Sequence, residues 1–154
     1  MASTNTGLCH LTIRQASDLI RQGELSPVEI TRAFFDRIQE TDSRLHSFIT
    51  LLPDEAMRQA RTAEAEIQRS DYKGRLHGIP IALKDLYDTA GIRTTAGSRV
   101  DYHRVPTEDA TTTARLAGAG AVLLGKLAMH EFALGGPDWT TPFEPARNPW
   151  NLDY

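Results

Sequence analysis

Two short apolar runs, Ile79-Pro80-Ile81-Ala82-Leu83 and Ala121-Val122-Leu123-Leu124, constrain the fold of this chain more than any other feature. Both are too short for buried helices and lie beside glycines, so they read as buried strands. Between them Asp109 can cap a helix over residues 110–119, closed by Gly118 and Gly120. Strand, helix and strand at this spacing predict a right-handed crossover and a parallel pair. Thr89-Ala90-Gly91 reads as a turn, and residues 92–95 as a short extended piece.

Three helices are predicted ahead of the strands. Residues 11–22 carry Ile13, Ala16, Leu19 and Ile20 at helical spacing, and Gly23 ends the pattern. Ser26-Pro27-Val28-Glu29 is a helix start with a capping serine, proline in the first turn and glutamate to close a capping box. That helix is expected to reach about Gln39, with Ile30, Phe34 and Ile38 on one face. Residues 48–52 read as an apolar link, and residues 54–69 as a helix whose narrow buried side is Ala56, Ala60, Ala63 and Ile67. The expected class is α/β: N-terminal helices, then the first strands of a mixed, largely parallel sheet. One domain divides into a helical region over 1–70, a β-α-β segment over 71–136 and a tail over 137–154. The tail holds four prolines and both tryptophans, shows neither period and lacks a core of its own.

Several classes of function are disfavoured. A formal net charge of −3 leaves no basic footprint for nucleic acid. The single cysteine, Cys9, excludes an internal disulfide framework and a cysteine-rich zinc site. His10, His46, His77, His103 and His130 are scattered, and His130-Glu131 lacks a second histidine four residues on, so no metal is expected. Gly118-Ala119-Gly120 and Gly135-Gly136 carry no phosphate-binding fingerprint, so no bound nucleotide is expected. The N-terminus lacks the pattern of a secretory signal, and no apolar run approaches a membrane span. The expected location is cytoplasmic.

Lys84 stands at the end of the first strand. Strand alternation places Ile79, Ile81 and Leu83 on one face and Pro80, Ala82 and Lys84 on the other, with Asp85 turned away from Lys84. Two readings fit. The stem can be buried with the ammonium in water, or the whole side chain can be desolvated. Burial without a carboxylate favours the neutral amine, the form a general base needs.

The segments Gly78-Ile79-Pro80-Ile81-Ala82-Leu83-Lys84-Asp85 and Thr89-Ala90-Gly91-Ile92-Arg93-Thr94-Thr95-Ala96-Gly97-Ser98 resemble the lysine region of the amidase signature family. The resemblance continues through Asp109-Ala110-Thr111, Gly120-Ala121-Val122-Leu123-Leu124-Gly125-Lys126, Met129-His130-Glu131-Phe132-Ala133 and Arg147-Asn148-Pro149-Trp150. It covers about residues 11–154, and the order of the motifs makes it specific. It implies an amidase signature fold, here incomplete, and hydrolysis of amide C–N bonds by a Ser-Ser-Lys triad without metal or cofactor. By motif match Lys84 is the catalytic lysine, placed as a buried amine. Leu134, Gly135 and Gly136 occupy the stretch that borders the acyl pocket in the family; a glycine turn after a short helix is the alternative. Lys126 receives no catalytic role and reads as structural or solvated. His130 and Glu131 read as surface or packing residues.

In the family, the Asn-Pro-Trp segment leads into a glycine- and serine-rich loop with the bridging serine, and the nucleophile follows. This sequence stops at Tyr154, before either, so the resemblance implies a chain that is inactive alone. Ser98 matches a family position that is not the nucleophile, and Ser43, Ser47 and Ser70 show no strained elbow. The expected partner is a small-molecule amide, with no direct nucleic acid and no membrane; the complete protein can be a homodimer. The alternatives are a glutaminase of the kind found in the glutaminase component of amidotransferases, and a non-catalytic truncated fragment that associates with another chain.

Overall fold

The computed structural model describes residues 4–136 and 141–153. A 3-10 helix, Thr4–His10, precedes helix α1 (Ile13–Gln22) and helix α2 (Pro27–Leu45). Strand β1 (Phe48–Leu51), helix α3 (Pro53–Gln68), strand β2 (Pro80–Lys84), helix α4 (Thr111–Gly118) and strand β3 (Val122–Leu127) follow, and Glu131–Ala133 is a second 3-10 turn.

Local chemistry explains most boundaries. Thr12 and Gln15 form a reciprocal capping box at the start of α1, and Gly23 ends it in the left-handed conformation at φ +74°. The Ser26 hydroxyl accepts the Val28 and Glu29 N–H groups at the head of α2. That helix runs beyond the expected Gln39 to Leu45, because residues 40–45 contain no glycine or proline to stop it. It ends where His46 turns left-handed at φ +51°, and the Asp42 carboxylate accepts the N–H groups of Ser47 and Phe48.

The expected link after α2 is strand β1. It pairs antiparallel with β3, Phe48 opposite Leu127 and Leu51 opposite Gly125, with an irregularity between Phe48 and Thr50. Gly125 permits the approach, since a Cβ there would overlap the Thr50 carbonyl. The sheet order is β1-β3-β2. Val122 N–H donates to Ile79 O and Asp85 N–H to Leu127 O, so β2 and β3 advance together as a parallel pair. The sheet is mixed, as expected. Residues 92–95 are not a strand: Thr94 N–H donates to Arg104 O and Thr95 N–H to the Asp85 carboxylate. Asp109 does not take the helix cap expected of it; its carboxylate accepts the Ala90 N–H at 2.7 Å and closes the preceding loop.

The chain forms two compact units. The first comprises Met1–Glu40, Leu52–Ile81 and Arg115–Leu124. Its core is Ala16, Ile20, Leu25, Ile30 and Ile79, flanked by Leu19, Phe34 and Ile67, while Ala56, Ala60 and Ala63 bury the narrow side of α3. His77 is fully buried; its Nδ1 accepts the Lys73 N–H, which leaves Nε2 to donate to Glu66. The Lys73 ammonium also binds Glu66, and together these contacts hold that carboxyl below the usual carboxylate range.

Gly120 lies against the His77 ring at φ +77°, and its carbonyl accepts the Gly78 N–H at 2.8 Å. Gly120→Ala would combine a left-handed alanine with overlap of a ring held at both nitrogens. We expect a loss of roughly 2–5 kcal/mol, read by urea denaturation.

Candidate functional site

The second unit, Thr41–Leu51, Ala82–Ala114 and Gly125–Tyr154, holds the ends of all three strands and every candidate site residue. Lys84 closes β2. Its side chain is exposed, and its carbonyl accepts the Tyr87 N–H, turning the chain. Lys84 helps line a cavity of about 310 Å³, together with Ile49 of β1, Ala128, Met129 and His130 beyond β3, Thr141 and residues 143–146. The expectation of a buried Lys84 amine is thus not met in this chain. Alternation turns Leu83 and Asp85 inward and Lys84 outward, into that cavity.

The buried lysine is Lys126, which has no exposed surface. Its ammonium donates to Tyr87 O and Thr94 Oγ1, both at 2.7 Å, and lies 3.6 Å from Asp85 Oδ1. Asp85 is equally buried. Its Oδ2 accepts from Thr95 N and Thr95 Oγ1, and its carbonyl accepts the Ala96 N–H. Desolvation holds the Lys126 ammonium below the ordinary lysine value, although Asp85 opposes the shift. The reading of Lys126 as structural or solvated resolves to structural. A lysine within an otherwise apolar strand, with Asp85 and two threonines elsewhere in the sequence, was the signal available.

The loop after Lys84 is cross-tied throughout. Arg104 forms a two-pronged ion pair with Asp88 at 2.6 and 2.7 Å, which holds that carboxyl low, and Thr113 Oγ1 donates to Asp88 O. Arg93 donates to Ile49 O and Thr50 Oγ1 of β1. The Arg93 guanidinium also stands 5.1 Å from the Tyr102 ring centre and 5.8 Å from that of Phe143, a wall of the cavity. Sequence reasoning passed over Arg93.

The backbone is strained in the loop at Ala96 and in the turn beyond β3. Ala96, Phe132 and Ala133 are left-handed at φ +53°, +48° and +60°, and Phe132 N–H donates to Ala96 O. Each such conformation costs about 1–2 kcal/mol. Ser98 Oγ donates to Glu131 at 2.6 Å and lies buried, while His130 lines the Lys84 cavity. Leu134 is 77% exposed, and it, Gly135 and Gly136 lie outside the wall of that cavity. Trp150 is 93% exposed; Trp139 lies outside the described residues. Among the described residues there is no cluster of metal-ligating side chains, and no helix is long and apolar enough to cross a membrane.

The Amidase family model matches residues 29–154. The chain belongs to the amidase family. Its relatives include the A-type subunit of the glutamyl-tRNA(Gln) amidotransferase of Geobacter metallireducens, 44% identical over 146 residues, which are 95% of this chain and 30% of that protein. Its counterpart in Anaeromyxobacter dehalogenans is 40% identical over 152 residues, 99% of this chain and 31% of its own. Among solved structures, the peptide amidase of Stenotrophomonas maltophilia matches with a TM-score of 0.75 at 35% identity, over 80% of this chain and 26% of that one. Fatty acid amide hydrolase matches with a TM-score of 0.88 at 25% identity, over 99% of this chain and 27% of that one. This amidase-family chain therefore spans about 30% of the length of the curated relatives it matches.

Proposed function

We propose that this chain supplies the lysine base of an amide hydrolase, with Lys84 as that base. The observation that carries the reading is the position of Lys84, the exposed last residue of β2, in the lining of a cavity of about 310 Å³. Membership of the amidase family and likeness to a peptide amidase and a fatty acid amide hydrolase support it.

On this reading, a bridging serine and a nucleophilic serine come from chain outside these residues. The nucleophile attacks the amide carbonyl as its proton passes through the bridging serine to the Lys84 amine. Backbone N–H groups hold the oxyanion. The proton then returns to the leaving nitrogen, the C–N bond breaks, and water hydrolyses the acyl-serine. Leu134, Gly135 and Gly136 border the acyl group in that longer protein. On this reading the 154 residues hold the base without the nucleophile and are expected to hydrolyse no amide by themselves.

A longer protein incubated with a panel of carboxamides is expected to release amine or ammonia and to show a serine acyl adduct by quench-flow mass spectrometry. The 154-residue chain is expected to do neither. Turnover by the short chain, or its absence from a folded longer protein, would overturn the proposal.

A second reading, the glutaminase component of a tRNA-dependent amidotransferase, is favoured by the relatives at 40–44% identity. Glutamine hydrolysis that rises on adding partner proteins identifies it. Partner-independent turnover of other amides identifies the first.

A further inference from the structure

Behind Lys84 lies a buried charged cluster with no part in the proton relay. Lys126 and Asp85 are both fully buried, 3.6 Å apart, in a domain that could have placed apolar residues at either position. Replacing such a pair by hydrophobic residues is often neutral or stabilising, so its presence calls for another explanation. The contacts supply one. Asp85 follows Lys84 directly, and its N–H extends the β2–β3 ladder by donating to Leu127 O. Its carboxylate takes two hydrogen bonds from Thr95, and its carbonyl takes one from Ala96. Lys126, from the neighbouring strand, reaches Tyr87 O and Thr94 Oγ1. The residues on both sides of the turn after Lys84 are thereby tied to β3 and to the 94–96 segment.

We propose that Asp85 and Lys126 are positioning residues, with Thr95 as their accessory, whose buried network sets where β2 ends and therefore where the Lys84 amine is held. The inference rests on the reading of Lys84 as the base. Among the described residues no side chain pairs with the exposed Lys84 amine, which sits on a flexible four-carbon stem. The cluster restrains the root of that stem, through the Asp85 backbone and side chain.

The test uses a longer, active protein and steady-state kinetics. Thr95→Val removes the hydroxyl at nearly constant volume, and Asp85→Asn removes the charge. Each is expected to lower kcat by about 10–100-fold, the scale of a misplaced catalytic group, with KM within about two-fold and melting still above the assay temperature. Thr95→Ser, which keeps the donor, is expected to retain kcat within about two-fold of the parent. If Thr95→Val and Asp85→Asn are folded and keep the parent kcat, or if their loss tracks melting temperature alone, the positioning role is wrong. Lys84→Met in the same background separates the base assignment from the positioning role. If it retains activity, the base assignment falls and this inference with it. If it abolishes activity while the Thr95 and Asp85 variants do not, only the positioning role falls.

Discussion

Replacing Lys84 by methionine in an active longer protein is expected to slow acylation by about 10²–10⁴-fold, the usual contribution of a positioned general base. Methionine keeps the length of the aliphatic stem and removes the amine. Lys84 is exposed at the end of β2 and makes no ion pair among those described, so the fold should tolerate the change within about 0.5 kcal/mol. Lys84→Arg is expected to fail as badly, since a guanidinium stays protonated and cannot accept the proton. Single-turnover acylation, with melting measured beside it, checks both. Full activity in a folded Lys84→Met protein would place the base elsewhere.

The largest effect on stability is expected from Lys126→Met. It leaves Asp85 as a buried charge without its counter-ion and strips donors from Tyr87 O and Thr94 Oγ1. Breaking a buried pair from one side costs about 3–5 kcal/mol, a large part of the roughly 5–15 kcal/mol that holds a domain together. Adding Asp85→Asn to Lys126→Met should recover much of the loss, because no uncompensated charge remains. Urea denaturation of the single and double variants reads this directly, and additive losses would contradict it.

The same lysine sets a pH dependence. Its folded value lies below the ordinary one, so between the two the unfolded chain binds more protons than the folded chain. Stability contributed by this group therefore rises with pH through that window, up to about 10.4, and is constant below it. Lys126→Met should remove this slope from the difference between the two proteins' stability curves.

Much of the architecture is legible in local pattern. The capping residue Ser26, the alanine face of α3 and the two apolar runs each declare their element within a few residues. The motif order that marks the amidase family is equally a property of the linear chain. What local pattern missed has a common cause. Strand β1 exists because it pairs with β3, more than seventy residues on, and Asp109 closes a loop at Ala90 instead of a helix.

The two lysines at strand ends make the same point for the site. Sequence alone determined that Lys84 ends a strand, faces away from Asp85 and matches the family's lysine. Only the tertiary structure decided that Lys84 is the exposed amine and Lys126 the buried one. Alternation assigns a side chain to a face, but burial depends on what covers that face. For Lys126 the cover is Asp85, Tyr87 and Thr94, some thirty to forty residues earlier in the chain.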